Sequence, residues 1–563
     1  MTQIRKMAAI GFVAILLASC AEQSDDFARQ PANGPATASA DVAEPEIMVT
    51  GTSSRAGNAP TAYAPAMALE RRDVAGEWAP APYYAQGRDQ FAEIEQNIFK
   101  AVSEEPVSTF SIDVDTASYA FVRASLNRNV LPQPNAVRTE EMINYFPYQY
   151  DVPPSATQPF GTHIDVFPSP WTQGRKLVRL GIQGYEIEQS ARPAANLVFL
   201  IDTSGSMNAP NKLPLVKQSL AMLLEQLGKE DRVAIVTYAG GAGTALEPTP
   251  ASEKGKILAV IDQLGAGGST AGAEGLRQAY ALAGRNLDPK SVNRVILATD
   301  GDFNVGITDR NELKGYIERQ REKGVFLSVL GYGMGNYNDA LMQALAQNGN
   351  GAAAYIDTIA EARKTLVEEA TSTLFPIAKD VKIQVEFNPA TVAEYRLVGY
   401  ETRMLNREDF DNDRVDAGEV GSGQTVTALY EIVPVGGPRA LGDLRYSRPA
   451  PQPGAGHGTE YGFVKIRYKL PKSERSQLIT TPIDRRSEAR SFAQAPADAR
   501  FAAGVASFAE LLRGGRYSGS MSYDDVLEIV SGARGKDEFG YRTEFVQLVR
   551  AAKTSTLLAR LGD

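Results

Sequence analysis

Apolar positions along this chain change their spacing several times, and each change predicts a different kind of element. From Asn196 the run LVFLI (Leu197 to Ile201) is continuous, as expected of a parallel strand buried on both faces. Val216, Leu220, Leu223, Leu224 and Leu227 follow at helical spacing and make one apolar face. The strand signal returns in RVAIVTY (Arg232 to Tyr238), RVILAT (Arg294 to Thr299), VFLSVLGYG (Val325 to Gly333) and AAYID (Ala353 to Asp357), with helical stretches between them. Strands alternating with amphipathic helices predict an α/β domain over residues 191–375, built on a doubly wound, mainly parallel six-stranded sheet.

The flanks read differently. After Pro376 the apolar period falls to two in VKIQVEF, TALYEIV and YGFVKIRYKL, which predicts a mainly antiparallel β-rich unit over 376–485. FAAGVASFAELLR, SYDDVLEIVSGAR and FGYRTEFVQLVRAAK then predict a C-terminal helical segment, 486–563. Ahead of the α/β domain, residues 91–190 read as an α+β segment. Its helices fall at Ala117 to Leu126 and Arg138 to Tyr145, and a strand pair at His163 to Phe167 and Lys176 to Gln183.

The first residues carry Arg5, Lys6 and the apolar run from Met7 to Ala18, too short for a bilayer span, so 1–19 reads as a signal peptide. Leu17-Ala18-Ser19-Cys20 resembles a bacterial lipobox, which implies that Cys20 is acylated and becomes the new N-terminus. Two or three acyl chains anchor a protein to a membrane stably. Ala21 follows Cys20, in place of the Asp that resembles an inner-membrane retention signal. The expected location is therefore the bacterial envelope, at the outer membrane, with the body in the periplasm or at the surface. Residues 20–90, rich in Ala, Pro, Gly and Ser, read as a disordered tether.

Composition narrows the chemistry. The 563 residues include 43% hydrophobic and 22% charged positions, enough for several folded units, and a net charge of -9 disfavours nucleic acid as a partner. Cys20 is the single cysteine, which excludes an internal disulfide, a cysteine nucleophile and a thiolate metal site in the mature chain.

Three loops of the α/β domain carry oxygen donors. Asp202-Thr203-Ser204-Gly205-Ser206-Met207 follows the first strand, Thr270 lies in GAGGSTAG, and Asp300 closes the strand from Arg294 to Thr299. Ligands of doubly wound sheets bind outside the carboxyl ends of strands, so these loops are expected on one rim. Two carboxylates and three hydroxyls are hard ligands, which suit Mg²⁺, or Mn²⁺ in its place. The same residues also suit a helix cap at Ser204 and Ser206 and a tight turn before Gly301.

DTSGSM, GGST and TDG, in that order, resemble the metal-ion-dependent adhesion site of von Willebrand factor type A domains. The resemblance implies that Ser204, Ser206 and Thr270 ligate the ion, and that Asp202 and Asp300 bind it directly or through water. A partner protein's Asp or Glu would complete the shell. Hydroxyl ligands add no charge, so the ion stays electrophilic towards that outside carboxylate. FSIDVDTASY and EEMINYF before the domain, and VTALYEI to YRTEFVQLVRAAK after it, resemble the flanks of a bacterial lipoprotein subfamily that carries a type A domain. The family also implies that the helix after the last sheet strand, Ile359 to Phe375, shifts when the ion takes a ligand.

Other chemistries find less support. Asp113 and Asp115, and the run Asp409, Asp411, Asp413, Asp416 and Glu419, invite a second cation site. An EF-hand from Asp409 would need Gly and Glu where Arg414 and Val420 stand. GYGMGN (Gly331 to Asn336) departs from the dinucleotide spacing and reads as a tight turn. The two histidines, His163 and His457, lie apart and outside the α/β domain. A metal hydrolase wants a His, Glu or Lys base, none of which is expected in the three metal loops; Glu274 is the nearest, on a helix surface. Three functions stay open: a cation-dependent binding protein that is not an enzyme, an envelope scaffold whose metal is structural, and a metal-dependent hydrolase.

Overall fold

The computed structural model describes residues 89–153, 155–301, 310–335, 337–442 and 458–562. The signal peptide, Cys20, the tether up to residue 88 and His457 lie outside the described residues. Among those described, no helix is long and apolar enough to cross a membrane.

The α/β sheet has six strands in the order Ala353–Ile356, Phe326–Tyr332, Val292–Thr299, Ala195–Asp202, Arg232–Tyr238 and Ala242–Pro250. All neighbours run parallel except the last pair. Alternation along Ala195–Asp202 explains why the strand is apolar throughout. Leu197, Phe199 and Ile201 pack on one side with Val216, Leu220 and Leu223 of the helix Leu213–Gln226. Val198 and Leu200 pack on the other with Leu276 and Ala279 of Gly272–Arg285. Each such fully buried side chain is worth roughly 1.5–3 kcal/mol. The edge strand Ala242–Pro250 had no expected position in the sequence. It returns as a hairpin from Arg232–Tyr238, and its exposed, weakly apolar positions hide the strand signal.

The flanks depart from the sequence boundaries. Val107–Ser111 pairs with Pro376–Phe387, and Lys176–Gly184 pairs with Thr425–Pro434. The strands thus form two antiparallel sheets around one shared core that includes Phe110, Leu180, Ile383, Tyr430 and Ile466. Residues 91–190 and 376–485, set apart in the sequence, build one sandwich into whose chain the α/β domain is inserted. The helices behave alike: Ala117–Leu126 and Thr139–Asn144 share a core with Ala497–Leu512, Tyr523–Gly532 and Tyr541–Gly562, through Tyr119, Phe146, Phe501 and Phe545. Partners so far apart in sequence leave no periodic trace, because periodicity reports the face of an element and not what covers it.

Candidate metal site

Asp202 is the last residue of its strand, and Asp300 directly follows Val292–Thr299, its neighbour in the sheet. Parallel pairing therefore delivers both carboxylates to one rim. The third loop is tied to the first by backbone bonds: Gly267 N–H donates to Thr203 O at 2.8 Å, and Gly205 N–H to Gly268 O at 3.1 Å. Those bonds bring the turn at Gly267 and Gly268 against DTSGS; Thr270, two residues further on, is half-buried.

The Asp202 carboxylate has no exposed surface and is fixed from several directions. It accepts from Ser204 N–H at 2.8 Å, from Tyr238 Oη at 3.1 Å and from Thr299 Oγ1 at 3.3 Å. Burial raises its pKa above the usual carboxylate range; the Ser204 hydrogen bonds oppose this, and the nearby Asp300 charge adds to it. Ser204 Oγ and Ser206 Oγ lie 3.1 Å apart, the first buried and the second exposed. Neither caps the helix Leu213–Gln226, whose preceding residue is Lys212, and no side-chain cap bond forms at Ser204. Gly301, directly after Asp300, adopts φ 94°, a conformation that costs glycine little.

Lys212 is the residue that sequence reasoning missed. It stands outside the three loops, directly before the helix Leu213–Gln226, yet its ammonium donates to Asp300 Oδ2 at 2.7 Å. The local signal was weak: a lysine just ahead of an amphipathic helix is usually a solvated start. Gly333, at the turn after Phe326–Tyr332, decides otherwise. A Cβ there would stand 2.6 Å from Lys212 Cγ and Cε, so the lysine stem runs tight over this glycine. Gly333 at φ 75° and Gly335 at φ 107° bend the chain after Phe326–Tyr332, as the tight turn expected of this segment requires.

The remaining candidates are placed elsewhere. Arg403 binds Asp113 at 2.9 Å and Asp115 at 3.1 Å, so a guanidinium is the cation that these two carboxylates hold. Arg467 pairs with Asp411 and Asp413 at the exposed acidic run. His163 stacks on Tyr150 with ring centres 5.0 Å apart. Glu274 is exposed, in the first turn of Gly272–Arg285.

A hard divalent cation fits the donors that meet here. They are oxygen throughout, two carboxylates with hydroxyls beside them, and hydroxyls must supply the balance. No described cluster of three or more His, Cys, Asp or Glu side chains is placed to hold an ion by itself.

A mainly parallel sheet with this rim defines the class as a von Willebrand factor type A domain. The family model described as von Willebrand factor type A domain matches residues 196–369. Models described as von Willebrand factor and as Uncharacterized protein YfbK, C-terminal, match residues 85–179 and 372–555. The Uncharacterized protein YfbK of Escherichia coli K12 is 43% identical over 472 residues, covering 83% of this chain and 81% of that protein. This chain belongs to the YfbK family. Human inter-alpha-trypsin inhibitor heavy chain H3 is 29% identical over 30% of this chain and 20% of its own length. Among solved structures, the von Willebrand factor type A protein from Catenulispora acidiphila is 15% identical, covers 69% of this chain and 89% of its own, and has a TM-score of 0.41.

Proposed function

We propose that this chain is a lipid-anchored envelope protein, not an enzyme, that binds a protein partner through a divalent cation. Mg²⁺, or Mn²⁺ in its place, is held by Asp202, Ser204, Ser206, Thr270 and Asp300, and an Asp or Glu of the partner completes its shell. The carrying observation is the buried Asp202 carboxylate beside Asp300, with Ser204 Oγ and Ser206 Oγ 3.1 Å apart on the same rim. Lipid anchoring at Cys20, and with it the outer membrane, rests on the lipobox resemblance. Among the described residues, neither candidate base is poised for hydrolysis: Glu274 is exposed, and Lys212 donates to Asp300.

One observation favours the scaffold reading. Glu361, in the helix that leaves the sheet, is tied by Arg123 to the flanking helices, which holds still the segment a ligand-driven shift would move.

The test is calorimetry of the full chain, carrying Cys20→Ser to prevent acylation, titrated with Mg²⁺ and Mn²⁺. Saturable binding that Asp202→Ala and Ser204→Ala both lose supports the cation site. Absence of binding in the parent chain sinks it and leaves a metal-independent scaffold. Labelled palmitate should enter the unsubstituted chain and not the Cys20→Ser form.

A further inference from the structure

Lys212 brings a fixed positive charge to a site read as holding a divalent cation. Its ammonium lies 2.7 Å from Asp300 Oδ2, and the Asp300 side chain is fully buried while that of Lys212 is 10% exposed. The lysine is not a surface group that happens to reach inward. It immediately precedes the helix Leu213–Gln226, and its stem is confined by Gly333, where a Cβ would stand 2.6 Å away.

The charge count gives this a consequence. Among the described residues, Asp202 and Asp300 would by themselves neutralise a divalent ion, and a partner carboxylate would then meet a neutral site. With Lys212 present, the loaded site keeps a net positive charge, which an incoming carboxylate offsets. The same ammonium repels the ion and competes with it for Asp300. At the short separations of a partly buried cluster, such a term amounts to tenfold or more, roughly, in binding.

We infer that Lys212 is a specificity-determining residue of the adhesion site, which lowers its affinity for the bare cation and raises the affinity of the loaded site for a carboxylate. The inference rests on the cation-site reading above. Lys212 thereby makes cation and partner binding depend on each other: the ion is held weakly until an acidic side chain arrives. It also keeps buried Asp300 compensated when no ion is bound, since a buried carboxylate without a counter-charge is strongly destabilising.

The test uses the full chain with Cys20→Ser, Mn²⁺ as the cation and acetate as the carboxylate probe. Water-proton relaxation of bound Mn²⁺ reads both, and circular dichroism checks the fold. Lys212→Met should bind Mn²⁺ about tenfold tighter or more, and its loaded form should bind acetate more weakly, while Lys212→Arg stays near the parent in both. Lys212→Gln, neutral and polar, repeats the measurement if the methionine variant does not fold. Parent binding of Mn²⁺ that the neutral variant only equals or falls short of overturns the inference and leaves the cation site standing. Acetate binding unchanged or strengthened in the neutral variant overturns it equally. No Mn²⁺ binding by the parent overturns both.

Discussion

Arg123, in the helix that precedes the α/β domain, donates a 2.7 Å hydrogen bond to Glu361, in the helix that leaves it. The same guanidinium also binds Asp357 and, at 3.3 Å, Glu544 of the C-terminal helix. Tyr145 Oη donates to the same Glu361 oxygen at 2.8 Å. One arginine thus joins three parts of the chain in a buried cluster with more acidic than basic members. Replacing it by methionine strands those carboxylates and should cost about 3–5 kcal/mol, read by chemical denaturation. Adding Glu361→Gln should recover part of that loss, and a double variant no more stable than the single one would refute the cluster as the cause.

Removing the ion should loosen the parent chain and leave Asp202→Ala untouched. An ion at a hundred times its dissociation constant stabilises the folded state by about 2.7 kcal/mol. Thermal melts with Mn²⁺ and with chelator should therefore differ for the parent and coincide for the variant.

Glu140 should give stability a dependence on pH. Burial raises its pKa to about 8, and the charges of Glu401, Asp113 and Glu141 add to the effect. The folded value lies above the unfolded value of 4.5, so folding favours the protonated form. Its contribution is lost as pH rises from the unfolded pKa towards the folded one. Glu140→Gln should melt increasingly above the parent between pH 5 and 9; parallel curves would refute this.

Gly333→Ala should destabilise by about 1–3 kcal/mol, because the new methyl meets the Lys212 stem and the backbone lies at φ 75°. The displacement of Lys212 from Asp300 separates this from simple strain. In the Lys212→Met background, where a more compliant side chain faces position 333, the cost should fall, which paired denaturation curves would show.

The sequence by itself determined the α/β sheet, because apolar runs, helical faces and turn residues are local consequences of backbone geometry. It placed five of the six strands, the flanking helices and the three oxygen-bearing loops, since a loop after a parallel strand is bound to reach the carboxyl rim. It did not reveal that residues on both sides of the domain share one sandwich and one helical core, nor that Arg403 holds Asp113 and Asp115. Lys212 was hidden for the same reason: only the approach of Gly333 and Asp300 makes it part of the site. Spacing along a chain fixes which face a side chain takes, whereas its charge partner is chosen by what packs across from it, and that is a property of the tertiary structure alone.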